Sequence, residues 1–180
     1  MDELLLRQMP HSTEAEQAVL GSMLIDAACV KDVMDQLQPD DFYLRQNREI
    51  FETIYTMFVY SRPIDGLTVA GELEKAGLAN DGTRAYLAQL MEVTPTSANV
   101  LEYVRLVREK ALLRSVAAAA AEITAMVQEG TGAPGDVLEA AEQKIYAIRR
   151  GRSAQSMATI QVVLLNGLEK LEYRGYDSAG

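Results

Sequence analysis

The chain has 180 residues, 48% hydrophobic and 24% charged, with a formal net charge of −9. That length holds one domain or one domain with an appendage, and the apolar share is enough for a real core. The negative balance repels phosphate backbones, which excludes non-specific nucleic-acid binding by this chain alone.

Cys29 is the only cysteine, so no intrachain disulfide forms and a reducing cytoplasm fits best. Its setting in "DAACV" reads as a small buried hydrophobe. The acidic start "MDEL" lacks the basic lead of a signal peptide. No apolar run is expected to approach the roughly 18 residues that span a bilayer.

Residues 1–10 read as an arm ending at Pro10, after which "HSTEAEQAVLGSMLID" opens a helix. Ser12 or Thr13 can accept from the free backbone amides, and Glu16 stands three residues after Thr13, the capping-box spacing. Residues 18–25 are apolar nearly all round, which places this helix at the centre of a core. Val30, Val33, Met34 and Leu37 mark a second short helix stopped by Pro39, and "PDDFY" is a turn that delivers Phe42 and Tyr43. A third helix is predicted from about Arg45 to Tyr60, with Ile50, Phe51, Ile54, Tyr55 and Phe58 at helical spacing. A fourth begins at Thr68, carries Val69, Leu73 and Ala76, and ends at Gly77. "RAYLAQLMEV" makes a fifth. With no alternating strand pattern, the fold class is all-α: a globular multi-helix head over residues 1–95.

After Pro95 the pattern lengthens. A sixth helix starts at Thr96 or Ser97 and runs to about Glu129, roughly 50 Å and longer than such a head is wide. Its first apolar stripe is Val100, Tyr103, Val104, Val107 and Ala111; its second is Leu112, Val116, Ala120, Ile123 and Val127. "GTGAPG" reverses the chain, and Val137, Leu138, Ala141, Ile145 and Ile148 mark an antiparallel return. Residues 96–150 therefore form a helical hairpin. Two helices cannot bury both stripes alone. The small side chains from Ala117 to Ala121 would let another helix approach closely, and the expected partner is the same hairpin of a second subunit. Residues 151–180 form a polar joint and an amphipathic helix whose face is Ile160, Val163, Leu164, Leu168 and Leu171.

Chemistry is scarce. His11 is the only histidine and reads as a solvated residue before a helix, so no multi-histidine metal site arises. Gly77 and Gly82 have the outer spacing of a phosphate-binding loop, but Thr83 and Arg84 stand where Lys and Ser or Thr are needed. Gly130, Gly132 and Gly135 belong to a turn, and Asp40 with Asp41 reads as a solvated turn. Arg105, Arg108, Lys110 and Arg114 alternate with Glu102 and Glu109, which suggests a solvated face. The residues describe an interaction module without catalytic, cofactor or metal sites of its own.

"STEAEQAVLGSMLID", "PDDFY", "NREIF", "ID" followed by "TV", "YLAQL", "PTSANV" and "VREKALLR" occur in this order. Together they closely resemble the N-terminal region of the bacterial replicative DNA helicases, the DnaB family, over roughly residues 10–150. "NDGTRAYL" departs from the family's usual glycine pair. The resemblance implies a collar of helical heads and hairpins in which hairpins pair and three dimers build a ring of six. It implies primase, and a helicase loader, as partners of the collar. The whole ring encircles single-stranded DNA and moves 5′ to 3′ with ATP and magnesium bound in a motor domain. The linker-helix face Ile160–Leu171 would dock on a neighbour's motor domain. In that setting the candidate interface seam is Leu112, Val116, Ala120 and Ile123 facing Leu138, Ala141 and Ile145. Tyr86, near the head–hairpin junction, is a further candidate contact. The alternative is a stand-alone helical adaptor that regulates a helicase ring.

Overall fold

In the computed structural model, which describes residues 9–130 and 132–150, the Ser12 hydroxyl accepts from the Ala15 amide at 3.2 Å and starts α1, Thr13–Ile25. The capping box anticipated at Glu16 does not form: Ser12 rather than Thr13 is the cap, which puts Ala15 at the third position, and the Glu16 carboxylate turns to the Tyr43 and Leu44 amides. Val19, Leu20 and Met23 have no exposure and Leu24 almost none, so α1 is buried nearly all round, as its composition predicts. At Gly21 the backbone of α1 runs against the end of the fifth helix. A Cβ there would stand 2.3 Å from the Leu90 carbonyl oxygen and 2.3 Å from Thr94 Oγ1.

A 3₁₀ turn, Ala27–Cys29, leads into α2, Val30–Met34. The Leu37 amide donates back to the Val33 carbonyl at 2.9 Å, which keeps Leu37 buried after the helix has ended. "PDD" is a second 3₁₀ turn, Pro39–Asp41, and it delivers Phe42 onto Phe51 with ring centroids 4.7 Å apart. Helix α3, Arg45–Val59, buries Ile50, Phe51, Ile54 and Met57 along one face.

Helix α4, Gly66–Lys75, begins two residues before the predicted Thr68. Asp65 Oδ1 accepts from the Leu67 and Thr68 amides, both at 2.9 Å, and Thr68 Oγ1 accepts from the Asp65 amide at 3.0 Å. Thr68 is thus the third residue of a reciprocal cap rather than its start. Helix α5 is Thr83–Glu92.

Helix α6, Val100–Glu129, starts three residues after Ser97. Asn99, not Ser97, stands at the cap position; the Ser97 carbonyl accepts from the Val100 amide at 3.0 Å while its hydroxyl donates to Asp26 at 2.6 Å, at the far end of α1. Gly130, at φ 63°, ends α6 in the left-handed conformation that glycine adopts without strain. Residues 134–150 form α7. Among the described residues there are seven α-helices and no strand.

Val100, Val104 and Val107 join the core built by α1 to α5, so the head includes the first turns of α6. Beyond Ala111 the only buried residue of α6 is Ala119. By length and composition alone α6 is apolar enough to cross a membrane, contrary to the expectation that no run comes close.

Candidate assembly interface on the helical hairpin

The hairpin leaves the head at a defined joint. Arg114, three residues past buried Ala111, donates through Nη1 to the Pro10 carbonyl at 2.8 Å and through Nη2 to the Asp41 carbonyl. Its guanidinium lies over the Tyr43 ring, 5.6 Å from the centroid. His11 stacks on the same ring at 4.3 Å, and its Nδ1 lies 2.8 Å from the Met9 carbonyl. Burial lowers the pKa of Arg114, while Glu16 and Asp41 act in the opposite sense. Two sequence expectations change here. Arg114 is not part of a solvated basic face, and His11 is not a free solvated side chain. Arg105 does behave as expected: it is exposed and bridges Glu102 at 3.0 Å and Glu109 at 2.7 Å.

Along the hairpin, an ion pair between Lys144 and Glu122 shows α7 running back beside α6. Of the candidate seam residues, Leu112, Ile123 and Ala141 are half-buried. Val116 is 42% exposed, Leu138 62% and Ile145 43%, and Ala120 is also exposed. The seam that closes within the chain is shifted in phase. Ala119 takes the inner position, with Ile123 and Met126 half-buried; on α7 the half-buried positions are 137, 140, 141, 144 and 148. One residue turns a helix by roughly 100°, so choosing Ala120 for Ala119, or Leu138 for Val137, moves a side chain from the seam to the flank. The structure therefore splits the candidate set into an inner group and an exposed group. Val116, Leu138 and Ile145, joined by Val127 and Tyr146, are apolar side chains that the chain itself leaves open.

Tyr86 lies within the head. Its hydroxyl donates to Asn47 Oδ1 at 2.6 Å and accepts from Gln17 Nε2 at 3.4 Å. Asn47 Nδ2 in turn donates to Glu16 Oε2 at 2.9 Å. Glu16, only 1% exposed, also accepts from the Tyr43 amide at 2.7 Å and the Leu44 amide at 3.3 Å. Leu44 precedes α3 and has no side-chain cap of its own, so the α1 carboxylate does that work at the positive end of α3. Sequence reasoning missed Glu16 and Arg114 as tertiary anchors. For Arg114 the one available signal was a charged residue inside an otherwise apolar stretch; Glu16 stands among polar neighbours and gave no such signal.

Among the described residues no group of three or more His, Cys, Asp or Glu is placed to hold a metal ion. The linker-helix face, Ile160, Val163, Leu164, Leu168 and Leu171, lies outside the described residues.

The geometry defines a class: an all-α head that launches a two-helix hairpin with an open apolar flank. Residues 8–109 match the family described as the DnaB-like helicase N terminal domain, and the chain belongs to that family. It is 34% identical over 167 residues to the replicative DNA helicase DnaB of Pasteurella multocida, covering 91% of this chain and 36% of that protein. Against the Leifsonia xyli protein of the same name it is 31% identical over 167 residues, covering 92% and 36%. The chain thus spans about a third of the length of the curated relatives it matches. The crystal structure of the N-terminal domain of DnaB helicase from Mycobacterium tuberculosis matches with a TM-score of 0.72 and 37% identity, covering 78% of this chain and 99% of that one. The N-terminal domain of DnaB helicase from Helicobacter pylori, a structure that also concerns its interactions with primase, gives a TM-score of 0.57 at 22% identity, covering 71% of this chain and 99% of that one. That second likeness carries the fold alone.

Proposed function

We propose that the chain is the assembly and partner-docking part of a replicative DNA helicase and that the exposed flank of its hairpin is a subunit contact. The observation that carries this reading is the set of open apolar side chains at Val116, Leu138 and Ile145 on a hairpin whose own seam is already filled. A second copy of the hairpin satisfies such a flank by an isologous contact, the commonest form of homodimer. Family membership supports extending the pair to three dimers in a ring of six. It also supports a cytoplasmic setting and primase, and a helicase loader, as further partners; the Helicobacter pylori relative is described with primase. Tyr86 would contribute to such contacts from the head. The face Ile160–Leu171 would dock on a neighbour. In the whole ring, single-stranded DNA, ATP and magnesium belong to a motor domain, and the residues described here supply assembly rather than a chemical step.

Sedimentation equilibrium tests the pairing. The unaltered chain is expected to exceed the monomer mass at micromolar concentration, and the double variant Val116→Asp/Leu138→Asp is expected to be monomeric with unchanged helix content. These positions are better probes than Ile123, whose half-buried side chain helps close the hairpin itself. A chain that stays monomeric at hundreds of micromolar, or a double variant that associates as before, would overturn the assignment. Binding of the cognate primase to the same two proteins then tells whether its docking face overlaps the subunit contact.

A further inference from the structure

The Arg114 joint brings together three stretches far apart in sequence: Pro10 before α1, Asp41 and Tyr43 between α2 and α3, and α6 itself. Both hydrogen-bond acceptors are backbone carbonyls, and Tyr43 is fixed in turn by the Glu16 carboxylate on its amide at 2.7 Å and by His11 on its ring. The guanidinium therefore meets backbone and a ring that are themselves tied to the head.

We propose that Arg114 is a latch that sets the angle at which the hairpin leaves the head. Up to Ala111, α6 is held by buried Val100, Val104, Val107 and Ala111, with Tyr103 and Leu106 packed partly buried beside them. Apolar burial is non-directional, so these contacts resist lifting but define the angle of the helix only loosely. Hydrogen bonds to two carbonyls are directional and stop that motion. Arg114 sits where head contact ends, and the remaining fifteen or so residues of α6 project by roughly 22 Å at 1.5 Å each. A rotation of about 10° at the joint moves the tip by about 4 Å, a distance comparable to a side-chain contact. The latch thus determines where the flank of Val116, Leu138 and Ile145 is presented. The inference concerns one chain's internal geometry and stands apart from the pairing of hairpins.

Double electron–electron resonance on the full chain tests it. In a Cys29→Ala background, spin labels at Glu52→Cys and Gln128→Cys report head to hairpin, and labels at Glu52→Cys and Asp81→Cys report the head alone. Dilution with unlabelled protein restricts the signal to distances within one chain. The parent is expected to give one narrow head–hairpin distribution. Arg114→Met, which keeps the apolar stem and loses the donors, is expected at least to double its width. Arg114→Lys, with one compact donor in place of the fork, falls between, and the head pair stays unchanged throughout. A head–hairpin distribution for Arg114→Met that superimposes on the parent overturns the latch. So does equal broadening of the head pair, which would make Arg114 a support of the head's fold. If Arg114→Met loses helix content, Arg114→Lys carries the test: widening supports the latch and the parental width overturns it.

Discussion

A methyl group added at Gly21 separates packing from helix propensity. In an open helix, glycine to alanine stabilises by about 1 kcal/mol. At Gly21 the new carbon would stand 2.3 Å from the Leu90 carbonyl oxygen, 2.3 Å from Thr94 Oγ1 and 2.8 Å from Thr94 Cβ. Ordinary non-bonded contacts lie near 3.5 Å, so α1 and the end of α5 must separate by about 1 Å. The chief obstacle is backbone, and Leu87 and Leu90 beside it are fully buried, so no flexible tip can swing away. Overpacking of this depth costs about 3 kcal/mol, which leaves Gly21→Ala less stable by about 2 kcal/mol after the propensity gain. Gly71 in α4 supplies the control, since a Cβ there meets nothing within 4 Å. Gly71→Ala should stabilise by about 0.5–1 kcal/mol. Urea unfolding followed by helical circular dichroism measures both. Adding Thr94→Ala to Gly21→Ala should recover less than half of the loss, because the Leu90 carbonyl remains. A Gly21→Ala protein as stable as the parent would refute the reasoning.

Glu16→Gln should destabilise the head by about 2 kcal/mol, because an amide replaces a carboxylate that accepts from two backbone N–H groups and Asn47. Tyr86→Phe should cost about 1 kcal/mol, and a double-mutant cycle between the two should show coupling through Asn47. Asp65→Ala removes the α4 cap, at a cost of about 1 kcal/mol by chemical denaturation at neutral pH. The Thr68 amide bond holds the Asp65 carboxyl below its ordinary 3.8. Its contribution is therefore complete above about pH 4 and fades as pH falls through the lowered pKa, so parent and variant should converge in acid. Cys29 is buried, and burial, aided by Asp26, pushes its thiol up to about 11. Alkylation at pH 8 should be at least tenfold slower than for a free cysteine and should accelerate on unfolding.

Local signals carried most of the head. The all-round apolar character of residues 18–25 announced a central helix, and the spacing of Ile50, Phe51 and Ile54 announced α3, because burial periodicity is written into the chain itself. Where the reading slipped, a distant residue had claimed a side chain. Ser97 looks like a helix cap until Asp26 takes its hydroxyl. Glu16 looks like half of a capping box until Tyr43, Leu44 and Asn47 take its oxygens. Arg114 looks solvated until two carbonyls and a ring enclose it. At the interface the sequence showed that α6 and α7 carry more apolar residues than one seam can use. Its phase was not legible, because in the run Ala117–Ala121 every position has the same side chain and only the packed return helix singles out Ala119.

That run also explains how one helix serves two purposes. Up to Ala111, α6 uses large β-branched side chains, Val100, Val104 and Val107, whose stiff rotamers fit one fixed site on the head. From Val116 onward it turns to alanine, which keeps the helix intact without committing its surface to a single neighbour. The apolar character that makes α6 resemble a membrane span is thus distributed differently along its length: enclosed where it meets the head, open where Val116 and Val127 face outward. The thirty residues of α6 divide into a first half that joins the core of the head and a second half whose apolar side chains stay open. The Arg114 joint falls at the boundary between them, so that a change of angle there has to break its bonds to the Pro10 and Asp41 carbonyls.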